Sequence, residues 1–375
     1  MKIGIDARWI FPKISGIGVY TQRLIKNLAE IDSKNEYFIF SNNPALIEKL
    51  KLNSKPNFSL VAVPYSGSSP LNQFLLPRKL KKLKLDVFHS PHFFVPLFIK
   101  PRLVVTLHDL IPLLFPHFTP KAKKVKLLWL YKFILKSATF KAKRVITISK
   151  HSRKDLMEFL KVKEEKIRII YNGVSPIYYP MPRDKVKERL ADIVSTDARV
   201  LLFVGRFDPY KNIIGLIRSF KDLKGTFSDL KLVVAGEKDP RYPEAEHLVE
   251  ELKLENEVIF TGYLDEEDLV YWYNRAEVFI LPTFYEGFGL PVVEAFASGC
   301  PVITSKVASL PEVAGEAALL INPHNQTELT EAIRQVLTDA RIRQELKEKG
   351  LIKSHVFSWE RTAREVLKVY EESIQ

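Results

Sequence analysis

Short apolar runs alternate with amphipathic stretches along the whole chain. In the first half, Lys2–Ile5, Tyr37–Phe40, Leu60–Val63, Asp86–Phe88, Leu103–Leu107 and Arg144–Ile148 read as strands. Segments such as Gln22–Ala29 lie between them, with apolar residues at helical spacing. The second half repeats the pattern in Arg199–Val204, Leu230–Ala235, Val258–Thr261, Glu277–Leu281, Pro301–Thr304 and Ala317–Ile321. Helices follow at about 327–338 and 340–353, and a last amphipathic segment runs from Trp359 to Glu371. Alternation of this kind predicts an α/β chain whose parallel sheets are covered by helices on both faces. Between the halves, Tyr171–Gly173 and the proline-bearing Ser175–Pro182 read as a hinge. With 375 residues the chain exceeds one ordinary core, so two domains are expected.

In an open parallel sheet, ligands bind beyond the carboxyl ends of the strands. Polar clusters at 16–18, 89–92, 108–109 and 149–152 fall on that edge in the first half. In the second half the richest stretch is Thr283–Ile303. Pro291 suits a first helical position and Gly299 the residue past a helix end, which leaves a helix of about two turns. Gly287 and Gly289 precede it and allow positive φ and close approach of a ligand. The free amides and positive dipole end of such a helix attract an anion. Glu286 lies in the turn and Glu294 in the helix, so an anion site carries two carboxylates. That combination suits a nucleotide sugar, although a glycine-rich turn with solvated acids is also common in α/β proteins. The two acids do not fit a retaining glycosidase. Their α-carbons would stand about 10 Å apart along a helix, whereas such a hydrolase holds its carboxyls about 5–5.5 Å apart.

Arg206 and Lys211 follow the strand Arg199–Val204, with Asn212 placed to cap the next helix. Two cations beside a helix start form a diphosphate clamp, or else two solvated loop charges. Gly16 and Gly18 form a truncated glycine fingerprint. No third glycine follows, and the strand ending near Asn42 lacks the acid that a nicotinamide ribose needs, so a dinucleotide oxidoreductase is rejected. His108 closes a strand as a structural residue or a sugar contact; Asp109, His89 and His92 are lesser candidates.

Composition narrows the class. The chain is 46% hydrophobic and 27% charged, as in soluble globular proteins, and no apolar run is long enough for a membrane span. The amino-terminal stretch is too charged for a signal peptide. The lone cysteine, Cys300, excludes an internal disulfide framework and reads as a core residue in a reducing, cytoplasmic setting. Net charge is +13, yet residues 1–175 hold 32 Lys+Arg against 11 Asp+Glu, while the remainder hold 25 against 33. Different partners for the two halves explain such asymmetry. The most basic part is Lys121–Lys136, continuing to Arg144, with Lys79–Lys84 in the same half. It reads as a sheet-covering helix or as a helix lying on an anionic membrane surface, or both. No nucleic-acid module is present, so nucleic acid is not expected as a partner.

The Glu286-to-Glu294 spacing, the glycines between them, and Gly205–Arg206 with Lys211–Asn212 resemble the signature of family-4 retaining glycosyltransferases of the GT-B fold. The likeness extends over nearly the whole chain and is strongest in residues 199–323. It implies two Rossmann-like domains facing a central cleft: an acceptor domain at 1–175, a donor domain at 184–358, and a helix at 359–375 that crosses back to the first. It also implies hexosyl transfer from a nucleoside-diphosphate sugar (a GDP- or UDP-sugar) to a hydroxyl of a saccharide or lipid-linked acceptor. Glu286 would hold the transferred sugar, Glu294 the ribose, and backbone amides of Gly287, Phe288, Gly289 and Leu290 the distal phosphate. Gly16 and Gly18 would bring amides to the donor phosphate, and His108 would touch a sugar hydroxyl. Arg206 and Lys211 would neutralise the leaving group in place of a metal, with no cofactor. His108–Asp109 in particular resembles bacterial mannosyltransferases acting on surface polysaccharides, which makes GDP-mannose the donor of choice; the protein would be cytoplasmic, and peripheral on the inner face of the membrane if the basic stretch Lys121–Arg144 docks there. A non-catalytic nucleotide-sugar or lipid-phosphate binder, or a sugar-nucleotide epimerase of the same fold, are the alternatives.

Overall fold

A computed structural model of the chain describes residues 1–12, 15–48, 50–116 and 128–375. The chain forms two compact units. The first holds the described residues of 1–114 and 128–173 together with Ser358–Gln375; the second holds Phe115, Pro116 and Val174–Phe357.

Among the described residues, the first unit is built on seven strands: β1 Lys2–Asp6, β2 Glu36–Ser41, β3 Phe58–Ala62, β4 Val87–Ser90, β5 Arg102–Leu107, β6 Arg144–Thr147 and β7 Ile167–Ile169. Their spatial order is β3-β2-β1-β4-β5-β6-β7. Every pairing is parallel, with Ile5 opposite both Ile39 and His89. A parallel sheet is covered on both faces, and the strands here are apolar almost throughout. In β5 every residue after Arg102 is buried. Helix Gly16–Ile31 is capped by Ser15, whose hydroxyl accepts from the Gly18 amide at 3.1 Å. Helix Leu128–Lys141 buries Tyr131, Leu135 and Ala138 in a core with Phe88, Val105 and Val145. Each such fully buried large apolar side chain contributes roughly 1.5–3 kcal/mol.

The last helix, Trp359–Ile374, belongs to this first unit. It buries Trp359, Thr362, Ala363, Val366, Val369, Tyr370 and Ser373, one stripe at helical spacing. Polar bonds fix its register. The Tyr370 hydroxyl lies 2.6 Å from His89 Nδ1, His89 Nε2 lies 2.8 Å from Thr106 Oγ1, and that oxygen lies 3.0 Å from the Tyr20 hydroxyl. At the helix end, Glu372 pairs with Arg168 at 2.8 Å and Arg144 at 3.3 Å.

The second unit holds β8 Arg199–Val204, β9 Leu230–Ala235, β10 Val258–Gly262, β11 Val278–Leu281, β12 Val302–Ser305 and β13 Leu319–Ile321. Their order is β10-β9-β8-β11-β12-β13, again all parallel. The last strand is shorter than its apolar run suggests. Gly315 takes φ 55° and starts a 3-10 turn that runs through Ala317, so pairing begins at Leu319. In both units strand order reverses beside the first strand, between β1 and β4 and between β8 and β11. Loops leaving neighbouring strands in opposite directions open a crevice at such a point.

The chain leaves the first unit after Gly173 and returns at Ser358. A β-carbon on Gly173 would overlap the backbone nitrogen of Trp359 and the carbonyl carbon of Ser358. Backbone, unlike a side-chain tip, has nowhere to move. Gly173→Ala is therefore expected to destabilise the protein by about 1–3 kcal/mol, the scale of overpacking. A urea titration showing an unchanged midpoint would refute that close approach.

Candidate active site

The loops leaving β8 and β11 are tied together in the second unit. After β8 the chain passes through a 3-10 turn, Pro209–Lys211, into helix Ile213–Lys224. Asn212 stands between them at φ 57°, a left-handed conformation that asparagine tolerates better than most residues. Its Oδ1 accepts from the Gly215 amide at 3.3 Å and caps the helix. Its Nδ2 donates to the carbonyls of Pro282 at 3.1 Å and Pro323 at 3.0 Å. One side chain thus joins the loops after β8, β11 and β13. The Thr283 hydroxyl and the Phe284 amide both donate to the Tyr210 carbonyl at 2.7 Å and close the frame.

That frame brings together Lys211 and Glu286, 75 residues apart in sequence. Lys211 Nζ donates to Glu286 Oε1, and each side chain is only 12% exposed. The Ser309 hydroxyl donates to the Glu286 carbonyl at 2.8 Å and holds the turn from the other side. Arg206 behaves differently. Its side chain is 68% exposed and pairs with Asp208 at 3.0 Å, not with Glu286. Helix Leu290–Ala297 begins where the sequence places it, with a proline at its start and Gly299 beyond its end. Of the two glycines in the turn, Gly289 takes the positive φ, 93°, while Gly287 does not. A side chain at Gly289 would also run into Leu310. No side chain caps the helix start at Gly289, and Phe288 is buried against Phe357. Leu290 is the first helical residue.

Glu294 lies one turn into this helix. The Tyr273 hydroxyl donates to its Oε2 at 2.9 Å. Burial, and then the Glu294 charge, push the Tyr273 hydroxyl well above its usual range, so it remains a donor. Two carboxylates on one short segment therefore have different partners, a lysine for Glu286 and a phenol for Glu294.

Gly16, Gly18 and His108 belong to the first unit. Gly16 opens its helix, and the Gly18 amide donates to the Ser15 hydroxyl that caps it. His108 follows β5, its ring edge-on to Tyr20 at 4.9 Å. Its ring bonds the Pro91 carbonyl, and its Nε2 is buried with no hydrogen-bond partner among the described residues. Burial pushes the imidazole down to about 4, against a smaller opposing effect of the Pro91 bond. It is therefore neutral near pH 7, with a lone pair to offer. Asp109 Oδ1 accepts from the Ile111 amide at 3.0 Å. His92 stacks on Trp9 at 3.6 Å, and His89 serves the network under the last helix. The basic stretch is split: residues 121–127 lie outside the described residues, and the rest is helix Leu128–Lys141 with Lys143 and Arg144 beyond it.

Sequence reasoning missed Tyr273, Thr283 and Ser309, because a neutral hydroxyl on an ordinary element carries no motif. It also missed the buried pair at the switch point of the first unit, where Arg8 bonds Asp6 at 2.7 Å and Asn72 at 2.6 Å. Cys300 is buried, and burial raises its thiol, which suits a core residue. Among the described residues no cluster of three or more His, Cys, Asp or Glu could hold a metal ion. No described helix is long and apolar enough to cross a membrane.

Two outcomes follow from this geometry. Asn212→Ala loses the cap, worth about 1 kcal/mol, and keeps a β-carbon in the left-handed conformation without the local side-chain hydrogen bonding by which asparagine tolerates it. Asn212→Gly loses only the bonds, so chemical denaturation should rank alanine below glycine; the reverse order would sink the argument. Burial, reinforced by the neighbouring His108, holds His89 down at about 3, and His108 lies at about 4. Unfolded histidine takes up its proton near pH 6.5, so the unfolded chain gains protons first as pH falls. Stability is fully present above about pH 6.5 and declines below it by up to about 1.4 kcal/mol per pH unit for each histidine. His89→Gln should remove one proton from that slope between about pH 6 and pH 4.5; an identical slope would show that His89 is charged in the native protein.

Comparison with known proteins agrees with this architecture. Residues 14–177 match Glycosyltransferase Family 4, and residues 186–352 match Glycosyl transferases group 1. The chain is 29% identical over 385 residues to O-antigen chain mannosyltransferase B of Escherichia coli, covering 99% of this chain and 100% of that one. Sucrose-phosphate synthase from Thermosynechococcus elongatus superimposes with a TM-score of 0.81 at 22% identity, covering 99% of this chain and 98% of the other. HepE of Anabaena, solved in complex with UDP-glucose, does so with a TM-score of 0.79 at 18% identity, covering 99% and 100%. Those superpositions establish the fold, GT-B, with two Rossmann-like parallel-sheet domains. Taken with the two sequence matches, they identify the chain as a member of the family-4, group 1 glycosyltransferases, and hence as an enzyme of glycosyl transfer.

Proposed function

We propose that this enzyme transfers a hexose, mannose in the best reading, from a nucleoside-diphosphate sugar to a hydroxyl of a saccharide or lipid-linked acceptor, with retention of anomeric configuration. The observation that carries the reading is the Lys211–Glu286 pair, shielded from water beside an uncapped helix start at the switch point of the sheet. A lysine there neutralises charge developing on the departing phosphate, and the helix amides of the Gly287–Leu290 turn take the distal phosphate. Glu286, already oriented by Lys211, accepts from hydroxyls of the transferred ring. Glu294, fixed by Tyr273, accepts from the ribose hydroxyls. Arg206, exposed at the rim, swings from Asp208 to the diphosphate on donor binding.

The bond between the anomeric carbon and the phosphate oxygen breaks while the acceptor oxygen bonds to that carbon from the same face. The acceptor proton passes to the departing phosphate oxygen, so products are a glycoside and a nucleoside diphosphate. Neither a separate protein base nor a metal is assigned. His108, neutral and with Nε2 unpartnered, is suited to accept from a sugar hydroxyl. The mannosyl reading draws on O-antigen chain mannosyltransferase B, with which the chain aligns end to end; GDP as the carrier is carried over from the resemblance alone. On this reading the protein works in assembly of a surface polysaccharide, from the cytoplasmic side.

The test is release of GDP from GDP-mannose with a mannoside acceptor, and the anomeric configuration of the product by proton NMR. Lys211→Ala and Glu286→Ala should each lower kcat by roughly 10²–10³, the scale of losing one preorganised electrostatic contact. An inverted product, conversion of the donor alone to an isomer, or undiminished turnover in folded variants would each overturn the reading.

A further inference from the structure

The amino edge of the first unit's sheet, opposite the edge that carries His108, holds a cavity of about 360 Å³. Six cationic side chains line it: Lys100, Arg102, Lys141, Lys143, Arg144 and Lys166. They converge because β5, β6 and β7 all begin here and helix Leu128–Lys141 ends here. Arg144 is partly neutralised by Glu372 at 3.3 Å. Lys166 donates to the carbonyls of Thr139 and Phe140 at 3.1 and 3.0 Å, at the carbonyl end of that helix. Lys100, Arg102, Lys141 and Lys143 make no ion pair among the described residues. Cations confined to one concavity repel one another, and an anion relieves that repulsion.

A second, independent feature adjoins the cavity. Helix Leu128–Lys141 buries Tyr131, Leu135 and Ala138 on one side. On the other it exposes Trp129, Phe133 and Phe140 by 70%, 60% and 88%, at positions i, i+4 and i+11 of one stripe, with the exposed Lys136 between them. Phe98, 82% exposed, stands two residues before Lys100. Bare aromatics grouped on one face mark a binding surface on a folded protein, since water disfavours them. Solvent-facing positions of a sheet-covering helix are ordinarily polar; here they are aromatic up to the residue that borders the basic cavity.

We propose that this edge is a docking site for the anionic phosphate headgroup of a membrane lipid, with the aromatic stripe seated in the bilayer interface. Lysine ammoniums meet lipid phosphates while indole and phenyl rings occupy the headgroup boundary, the pairing that interfacial helices use. Nucleic acid would answer the charge but not a stripe standing along a convex helix face. The site shares no residue with the donor-binding set, so its failure leaves the glycosyl-transfer reading standing.

The experiment is flotation of the full chain with phosphatidylcholine vesicles, with and without phosphatidylglycerol. The wild type should bind the vesicles that contain phosphatidylglycerol, and raised salt should weaken the binding. Lys141→Ala and Lys143→Ala should each weaken it about fivefold, with melting temperature and transfer to a soluble acceptor unchanged. Trp129→Ser with Phe140→Ser should reduce partition while leaving the cavity intact. Three results would overturn the proposal: partition equal in all variants; inorganic phosphate raising the melting temperature of a chain that binds no vesicles, which makes the cavity a free-anion site; or retention of duplex DNA in place of vesicles.

Discussion

A lysine and a glutamate held together away from water are the constraint on which this molecule turns. Removing both charges from solvent costs several kcal/mol per ion in an apolar interior, and their attraction barely offsets that cost. Such a pair is a weak source of stability. It persists because its surroundings are rigid: Asn212 bridges three loops, and the Tyr210 carbonyl receives two donors from the opposite loop. In the proposed reaction a preorganised charge would do no reorganising work as the phosphate departs, and the energy of the arrangement would be recovered there.

The location of the pair follows from chain topology. In both units the sheet grows outward in two directions from its first strand. The second unit fills the resulting crevice with Lys211 and Glu286. The first fills the equivalent point with Arg8, Asp6 and Asn72, all buried and mutually bonded. There the charges are satisfied within the protein. The same topology thus yields a poised site in one unit and a structural plug in the other, and the difference lies in a few side chains.

The two edges of the first unit's sheet have opposite chemistry. At the carboxyl edge, histidines and hydroxyls are buried and neutral, and burial holds both His89 and His108 far below the ordinary histidine range. At the amino edge, cations gather with few partners. The excess of 21 positive charges in residues 1–175 is therefore not a uniform coat. Field of one sign concentrates where strands begin, well separated from the histidine that offers a lone pair.

Hydrophobic periodicity by itself determined the strand–helix alternation, and the cap at Asn212 was legible because a cap is a local contest between one side chain and nearby amides. Pro291 and Gly299 bounded their helix for the same reason: both act through φ, within one or two residues. The sequence also placed Lys211 and Glu286 on loops at strand ends. It did not pair them, nor turn Arg206 toward Asp208, since those partnerships depend on which strands lie side by side. Tyr273 and Ser309 gained their roles only from that juxtaposition. Likewise the basic stretch Lys121–Lys136 read as a helix, but which face of Leu128–Lys141 met the core, and that the other bared three aromatic rings beside a basic cavity, was decided by packing. Local rules act over a few residues; a site is assembled across the sheet, where only the tertiary fold sets the distances.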